Sequence, residues 1–323
     1  MVALLYKNTF KILFQCFCMR LANFIESQQL KPSLIFELFK KADDIRNIKA
    51  TQLILSSKIL ATLFYEPSTR TRLSFETAML KLGGAVISTE NAKEFSSAIK
   101  GETIEDTIRI VQNYADCIVI RHYEEGVAKR AAAISKVPVI NAGDGKGQHP
   151  TQALLDLYTI YREIGRVENL TIAMVGDLAS GRTVRSLCYL LGKFKNNRII
   201  FVSPDNLKIK QDIKDYLAKH DVSFSEEFDL NKVMQEADII YMTRIQKERI
   251  SQEDYEKAKG KYVISMDNLP LLKESARILH PLPKIDEINL PIDVEENDKR
   301  IAYFRQAENG LYIRMALLVH ILS

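Results

Sequence analysis

The chain has 323 residues, 46% hydrophobic and 27% charged, so it is long enough to bury a core and too apolar for a disordered protein. Its formal net charge of +4 is too small to argue for a nucleic-acid partner. The four cysteines are too few and too scattered for a disulfide framework, which favours a reducing compartment. The cysteines and the five histidines form no metal-binding pattern.

The first 18 residues are apolar but interrupted by Lys7 and Lys11, and they lack the features of a signal peptide. We interpret residues 1–18 as a candidate extension, either non-native or disordered, with Met19 as the biological start. No later segment has about 18 uninterrupted apolar residues. We therefore expect no membrane partner and a cytoplasmic location.

Short β-branched runs alternate with helical patterns along the rest of the chain. The predicted strands are 59–64, 117–120, 137–140, 170–175, 198–202, 238–242 and 262–266. Apolar residues at helical spacing predict one helix that ends at Gly83–Gly84, one over about 149–165, and a closing helix near 306–323. The pattern predicts an α/β fold of two doubly wound domains, each a mainly parallel sheet flanked by helices.

Polar segments follow five of the predicted strands. Because ligands bind at the carboxyl ends of the strands in open α/β sheets, these segments predict one cleft. They are rich in Arg, Ser, Thr, His and Gln but poor in carboxylates, which indicates an anionic ligand. The segments are 65–72, 121–122, 141–152, 176–183 and 243–246.

The segment STRTR, residues 68–72, is the clearest of these signals. It follows a predicted strand and opens a helix, where backbone N–H groups and the helix dipole favour a phosphate. The guanidinium of Arg70 can bind two phosphate oxygens at once. The alternative is a capped helix with solvated arginines, and the motif alone does not separate the two.

Two further motifs have a plain structural alternative. GDLASGRT, residues 176–183, is similar to a P-loop with Arg182 in place of the lysine, and no metal-binding aspartate follows. We interpret its glycines as turn residues that present Arg182 to an anion; a surface salt bridge is the alternative. His149, at a predicted helix start, is expected to stay neutral and to polarise a carbonyl, or else to be a capping or core histidine.

Seven segments, in order, resemble the aspartate carbamoyltransferase family, catalytic chain. They are FYEPSTRTR (64–72), SSAIKGE (96–102), IRH (120–122), NAGDGKGQHPTQALLDLYTI (141–160), MVGDLASGRTVRSL (174–187), YMTRIQKER (241–249) and HPLPKIDEI (280–288). The related ornithine enzymes typically have H-C-L-P where this chain has HPLP at 280–283, so the aspartate enzymes are the better match.

The resemblance implies that carbamoyl phosphate and L-aspartate give N-carbamoyl-L-aspartate and phosphate, early in de novo pyrimidine biosynthesis, without a metal or organic cofactor. It implies a carbamoyl phosphate-binding domain of residues 19–150 plus 306–323 and an aspartate-binding domain of 151–305, linked by the helix at about 149–165. It also implies a homotrimer with shared active sites. Regulatory chains and a dihydroorotase partner both stay open.

The resemblance also implies roles for individual residues. The phosphate would be held by Ser68, Thr69, Arg70 and Thr71. The carbonyl oxygen would be contacted by Thr71, Arg121 and His149, with Arg121 reaching the phosphate as well. The carbamoyl NH2 would donate to Gln152 and to the carbonyls of Pro281 and Leu282. The aspartate carboxylates would bind Arg182, Arg244 and Gln246. A neighbouring subunit would contribute Ser96 and Lys100, and the latter would reach both substrates.

The chemistry agrees with these roles. Attack by the aspartate amine places negative charge on the former carbonyl oxygen, where each preorganised donor can contribute about 3 kcal/mol. No side chain is an evident base, so we hypothesise that the leaving phosphate takes the amine proton. We expect domain closure on binding, and a link from Glu66 to Arg182 or Arg249 across the cleft.

The chain departs from the family pattern at Ser180 and Lys284, which we expect to alter aspartate affinity or the closed state rather than the chemistry. Three alternatives stay open from the sequence. They are a carbamoyltransferase for ornithine or another amino acid, a non-catalytic homologue, and a P-loop NTPase.

Overall fold

A computed structural model describes residues 21–47, 53–92, 97–247 and 250–323. The candidate extension at 1–18, Ser96 and Arg249 lie outside the described residues. Within those four ranges, no helix is both long enough and apolar enough to cross a membrane.

The amino-terminal half of the chain forms a four-stranded parallel sheet with helices around it. Its elements are α1 (Pro32–Asn47), β1 (Ile59–Phe64), α2 (Thr69–Lys81), β2 (Ala85–Glu90), α3 (Ile104–Val111), β3 (Cys117–His122), α4 (Val127–Ile134) and β4 (Val139–Asp144). The strand order is β2-β1-β3-β4. The strand that follows β1 in the chain, β2, lies on one side of β1 in the sheet, and β3 lies on the other side. The strand order therefore reverses between β1 and β3, and a crevice opens at the carboxyl ends of these two strands.

The next part of the chain forms a five-stranded parallel sheet. Its elements are β5 (Thr171–Val175), α6 (Arg182–Leu191), β6 (Arg198–Val202), α7 (Gln211–Lys219), β7 (Ser223–Glu227), α8 (Leu230–Glu236), β8 (Ile239–Met242), α9 (Gln252–Ala258), β9 (Ile264–Ser265), β10 (Arg277–Leu279), β11 (Ile288–Asn289) and α10 (Ile292–Asn297). The order is β10-β8-β5-β6-β7, while β9 and β11 pair separately. The crevice here opens between β5 and β8.

Two long helices connect the halves: α5 (Pro150–Ile164) runs from one sheet to the other, and α11 (Tyr303–Leu322) closes the chain. Proline suits the first turn of α5 because that turn needs no N–H from it, and Gly165 ends the helix in the left-handed conformation at φ 82°. The closing helix packs against α1, α2 and α5. The predicted domain boundaries stay predictions.

The expected fold class is confirmed, since two α/β domains each have a parallel sheet flanked by helices. The predicted strands 59–64 and 198–202 coincide with β1 and β6. The strand predicted at 262–266 is wrong in extent and placement: only Ile264 and Ser265 are extended, and they pair outside the main sheets. The side chains of Tyr262 and Ile264 pack in the core beside the sheet, whereas Met266 is exposed.

Candidate active site

A cavity of about 760 Å³ lies where the carboxyl ends of strands from both sheets meet. Its lining includes these predicted site residues: Ser68, Thr69, Arg70, Thr71, Arg121, His149, Gln152, Arg182, Arg244, Gln246, Pro281 and Leu282. Lys100 does not line it and is exposed at the end of a 3₁₀ turn, Ser97–Lys100. The cleft predicted from the five polar segments is therefore present, but its described lining does not include Lys100, which is expected to come from a neighbouring chain.

The amino terminus of α2 forms one wall of the cavity. Ser68 is the N-cap residue, and the first turn contains no acidic side chain, so the N–H groups there favour an anion. The pKa of Arg70 is lowered first by desolvation at the cavity wall and then by the positive charge of Arg244. The guanidinium of Arg72 turns away to Glu90, with 2.7 Å between Nη2 and Oε2.

A carboxylate joins two arginines across the cavity. Glu66 Oε2 lies 3.1 Å from Arg182 Nη1, and its Oε1 lies 3.2 Å from Arg121 Nη2. The expected contact from Glu66 to Arg182 is therefore present. Arg182 also donates to the carbonyl of Gly145 at 2.9 Å and is buried, so the alternative of a surface salt bridge is wrong.

The imidazole of His149 is held neutral. His149 is buried at the N-cap of α5, and its backbone N–H donates to Ser186 Oγ at 2.9 Å. Burial lowers the pKa of His149 well below its ordinary value, and the charges of Arg121, Arg182 and Arg314 add to this. Both effects favour the neutral ring that the sequence analysis expects, and they come from burial and the arginines rather than from a helix dipole.

Acceptor oxygens line another part of the cavity. Gln152 donates its amide N–H to Asp156 at 2.8 Å, which leaves its oxygen to face the other way. In the loop after β10, Leu282 has φ 56°, a left-handed conformation that is rare for leucine, and its N–H donates to His280 Nδ1 at 2.8 Å. The HPLP segment, residues 280–283, thereby forms a shaped wall of the cavity.

The loops after β5 and β8 lie in close contact. A Cβ on Gly176 would lie 2.1 Å from the carbonyl oxygen of Thr243, so only glycine fits there. Asp177 accepts from the N–H of Ser180 at 2.9 Å and from that of Gln246 at 3.4 Å, which ties the loop that precedes Arg182 to the loop that follows Arg244. The P-loop-like segment is thus a turn that carries an arginine.

The departure at Lys284 has a partner away from the cavity, since its Nζ lies 2.6 Å from Glu295 Oε1. Ser180 is buried inside the turn that begins α6. The expected effect of either residue on aspartate affinity stays a prediction, but for Lys284 the contact with Glu295 argues against such an effect.

Sequence reasoning missed several buried polar residues around the cavity: Asp156, His280, Gln306 and Arg314. Burial lowers the pKa of Arg314 to about 10, opposed by the charge of Asp156. A signal was available, because Asp156 and Arg314 are charges inside apolar stretches of long helices, and such a charge is rarely buried without a partner.

Two family models match the chain. The model described as aspartate/ornithine carbamoyltransferase, carbamoyl-P binding domain, matches residues 22–162, and the model for the Asp/Orn binding domain matches residues 168–321. Aspartate carbamoyltransferase 1, chloroplastic, of Pisum sativum is 55% identical over 304 residues, which cover 93% of this chain and 78% of the relative. The aspartate carbamoyltransferase catalytic subunit of Clostridium acetobutylicum is 50% identical over 290 residues, 89% and 93% of the two chains.

Solved structures agree. The catalytic subunit of Methanocaldococcus jannaschii aspartate transcarbamoylase superimposes with a TM-score of 0.85 at 46% identity, covering 93% of this chain and 98% of that one. The Trypanosoma cruzi aspartate transcarbamoylase in complex with N-(phosphonacetyl)-L-aspartic acid superimposes with a TM-score of 0.87 at 37% identity, covering 94% and 96%.

The expected cytoplasmic location is wrong by this comparison. Relatives from Pisum sativum, Oryza sativa and Arabidopsis thaliana, 54–55% identical to this chain, are named chloroplastic. These names point to a plastid. Cysteine usage cannot separate two reducing compartments, so the sequence reasoning had no means to choose between them.

Proposed function

The chain belongs to the aspartate/ornithine carbamoyltransferase family, and we propose how its cavity divides the two substrates. Its activity is the transfer of the carbamoyl group of carbamoyl phosphate to L-aspartate, which gives N-carbamoyl-L-aspartate and phosphate. The family name also implies a place in pyrimidine biosynthesis. One observation carries the assignment: among the described lining residues, five arginines face one carboxylate, Glu66. Two anionic substrates supply the charge that such a cavity lacks.

The phosphate end of carbamoyl phosphate would bind at the amino terminus of α2. The backbone N–H groups there, the hydroxyls of Ser68, Thr69 and Thr71, and the guanidinium of Arg70 supply donors. Arg121 reaches the same region from the end of β3, since Arg121 pairs in register with Phe64 at the end of β1.

The carbonyl oxygen would lie among Thr71, Arg121 and the neutral ring of His149. When the aspartate nitrogen attacks, the carbonyl carbon becomes tetrahedral and its oxygen becomes negative. Donors already in place stabilise that charge by about 3 kcal/mol each. The bond from carbon to the phosphate oxygen then breaks, and the departing phosphate takes the amine proton.

The aspartate would bind from the second sheet, through Arg182, Arg244 and Gln246. Without substrate, Glu66 already forms an ion pair with Arg182. An aspartate carboxylate must therefore share or replace that ion pair, which couples aspartate binding to a rearrangement across the cleft. The reaction needs both substrates held in attack geometry, and this positioning supplies a large part of the rate.

A second copy of the chain would complete the cavity. Leu73, Leu80 and Ile87 are 48%, 58% and 41% exposed on α2 and β2, the edge strand of the first sheet. An exposed apolar face beside an unpaired edge strand is a typical interface. We propose a homotrimer in which this face is covered and Lys100, with Ser96, enters the neighbouring cavity.

Hybrid trimers test the shared site. Lys100→Ala and Arg70→Ala proteins should each be inactive, but dissociation and reassembly of a one-to-one mixture should restore about a quarter of the sites. The matched control mixes Arg70→Ala with Arg182→Ala; both residues belong to one chain's cavity, so no site is restored. Restoration in the control as well, or in neither mixture, would contradict the shared site.

Substrate choice tests the activity itself. The wild-type protein should form N-carbamoyl-L-aspartate from carbamoyl phosphate and L-aspartate, and it should form no citrulline with L-ornithine, because the cavity offers arginines rather than carboxylates to the second substrate. Turnover with ornithine would favour the sister activity. A folded trimer with no turnover on either amino acid would favour a non-catalytic homologue.

A further inference from the structure

A buried carboxylate below the cavity organises three elements of the fold. Asp156, on α5, is fully buried. Its Oδ1 accepts from Gln152 Nε2 at 2.8 Å and from Gln306 Nε2 at 2.6 Å, and its Oδ2 accepts from Tyr241 Oη at 2.7 Å. An ionised carboxylate only accepts hydrogen bonds, so all three donors must point toward it.

This arrangement fixes the direction of two amide groups. With its NH2 on Asp156, each glutamine turns its oxygen the opposite way. Gln152 lines the cavity, so its oxygen is available to a donor there. The oxygen of Gln306 accepts from the backbone N–H of His280 at 2.8 Å, the first residue of the loop that carries Pro281 and Leu282.

We propose that Asp156 is a positioning residue that sets both acceptors of the carbamoyl NH2: Gln152 directly, and the Pro281 and Leu282 carbonyls through Gln306. The inference rests on the proposed function, which assigns these acceptors to carbamoyl phosphate. It explains how the cavity selects a carbamoyl group over an acyl group. A carbamoyl group differs from an acyl group by its NH2, and this NH2 donates hydrogen bonds to acceptors whose orientation the protein has already fixed.

A neutral side chain in place of Asp156 would not hold both glutamine amides in these orientations. An amide in place of the carboxylate has one oxygen that accepts and one NH2 that only donates, so a donor that faces the NH2 must turn. A turned Gln152 would present its NH2 to the NH2 of the substrate. Such a mismatch of two donors weakens binding and displaces the reacting carbon, and small displacements are costly to the rate.

The carboxylate is also sensitive to pH. Burial raises the pKa of Asp156 to about 7, although Tyr241, Gln306, Gln152 and the charge of Arg314 oppose the rise. The titratable and charged groups that face it, among the described residues, are Tyr241 from β8 and Arg314 from α11. Since the acceptor state is the ionised one, the proposed function of Asp156 is present above this pKa and lost as pH falls through it.

The test compares two ligands that differ in the carbamoyl NH2. In Asp156→Asn, kcat/KM for carbamoyl phosphate should fall by about 100-fold. The inhibition constant of N-(phosphonacetyl)-L-aspartic acid, which carries no NH2 on its carbonyl carbon, should change by less than about threefold. Equal losses on both ligands would indicate a merely structural role and overturn the inference, and so would the absence of any loss.

Two further variants keep the inference testable. Gln306→Met removes the link to His280 and one hydrogen bond to Asp156 but keeps the carboxylate itself. It should therefore show the same selective loss even if Asp156→Asn fails to fold; an unselective loss would contradict the inference. Tyr241→Phe removes the hydroxyl that donates to Oδ2 and that also hydrogen-bonds Thr183, and it leaves both glutamine contacts of Asp156 in place. It should leave kcat/KM at about pH 9 unchanged. It should shift the acid limb of the plot of kcat/KM against pH to higher pH by about one unit, because the ionised carboxylate loses a donor.

An unshifted limb in Tyr241→Phe would contradict a role for the ionised carboxylate. These outcomes are distinct from a failure of the proposed function. If the wild-type protein does not carbamoylate aspartate, the function is wrong; if it does and the selective loss is absent, only the role of Asp156 is wrong.

Discussion

Replacing Arg70 by alanine should abolish phosphate binding without destabilising the free protein. Desolvation at the cavity wall and the positive charge of Arg244 both lower the pKa of Arg70. Its charge is therefore tolerated in the free protein rather than favoured, so the melting temperature of Arg70→Ala without ligand should be equal to or above that of the wild type. A bound phosphate reverses this balance, because it neutralises both arginines at once.

The expected loss in affinity follows from the bonds removed. Two charge-assisted hydrogen bonds contribute about 1.5–3 kcal/mol each, so the dissociation constant for inorganic phosphate should rise by a factor on the order of 10² to 10⁴. Titration calorimetry measures this rise, and thermal melts with and without phosphate measure the stabilisation that binding adds. The wild type should gain stability with phosphate, whereas the variant should gain almost none.

Arg72→Ala is the matched control. Arg72 belongs to the same turn of α2, but its guanidinium pairs with Glu90 at 2.7 Å and with Glu76 at 3.4 Å, outside the cavity lining. Arg72→Ala should bind phosphate like the wild type. The reasoning would be refuted if Arg70→Ala melted well below the wild type without ligand, or if both variants lost phosphate equally.

Three further predictions concern single groups. The ¹⁵N shifts of the His149 ring, assigned with His149→Gln, should stay those of neutral imidazole down to about pH 6, because burial and then nearby arginines hold its pKa well below the ordinary value; a titration above that pH would contradict this. Glu163→Gln should destabilise the protein at neutral pH and destabilise it less at acidic pH, below the ordinary glutamate pKa, with urea unfolding as the measurement. Although burial raises the pKa of Glu163, Arg305 at 2.7 Å lowers it overall, so the stabilisation is present above the ordinary glutamate pKa and is lost as pH falls through the folded value; an equal effect at both pH values would disprove it. Lys284→Met should lower the free energy of unfolding by about 1–3 kcal/mol, because Glu295 loses its charged partner, while KM for aspartate stays within about twofold; a large rise in KM with unchanged stability would reverse this assignment.

The apolar pattern predicted the central strands better than the edges. β1 and β6 are continuous apolar runs because helices cover both faces of the sheet at these strands. β2 and β7 lie at sheet edges, where exposed residues interrupt the run, and the sequence analysis did not find them. The run at 262–266 was predicted as a strand but forms only a two-residue strand outside the main sheets. Apolar residues indicate burial, but they do not indicate the strand with which they pair.

The site divides in a similar manner. Residues such as Arg70 and His149 follow strands directly, and a parallel sheet brings the ends of its strands together, so the sequence could predict their convergence. Asp156 and Gln306 act through a contact between residues 150 positions apart. Periodicity cannot predict such a contact. The only local trace of it is a carboxylate inside the apolar helix α5.

The cavity also explains why the overall charge carries so little information. A net charge of +4 over 323 residues is unremarkable, yet five arginines line one cavity whose described residues include a single carboxylate, Glu66. That carboxylate contacts Arg121 and Arg182 at the same time, one from each half of the chain. One carboxylate cannot neutralise five arginines, so we expect the negative charges of carbamoyl phosphate and aspartate to neutralise the remaining arginines when these substrates bind. If Arg182 binds an aspartate carboxylate as proposed, that carboxylate competes with Glu66 for the same guanidinium, and binding of the second substrate changes the contact that joins the two domains.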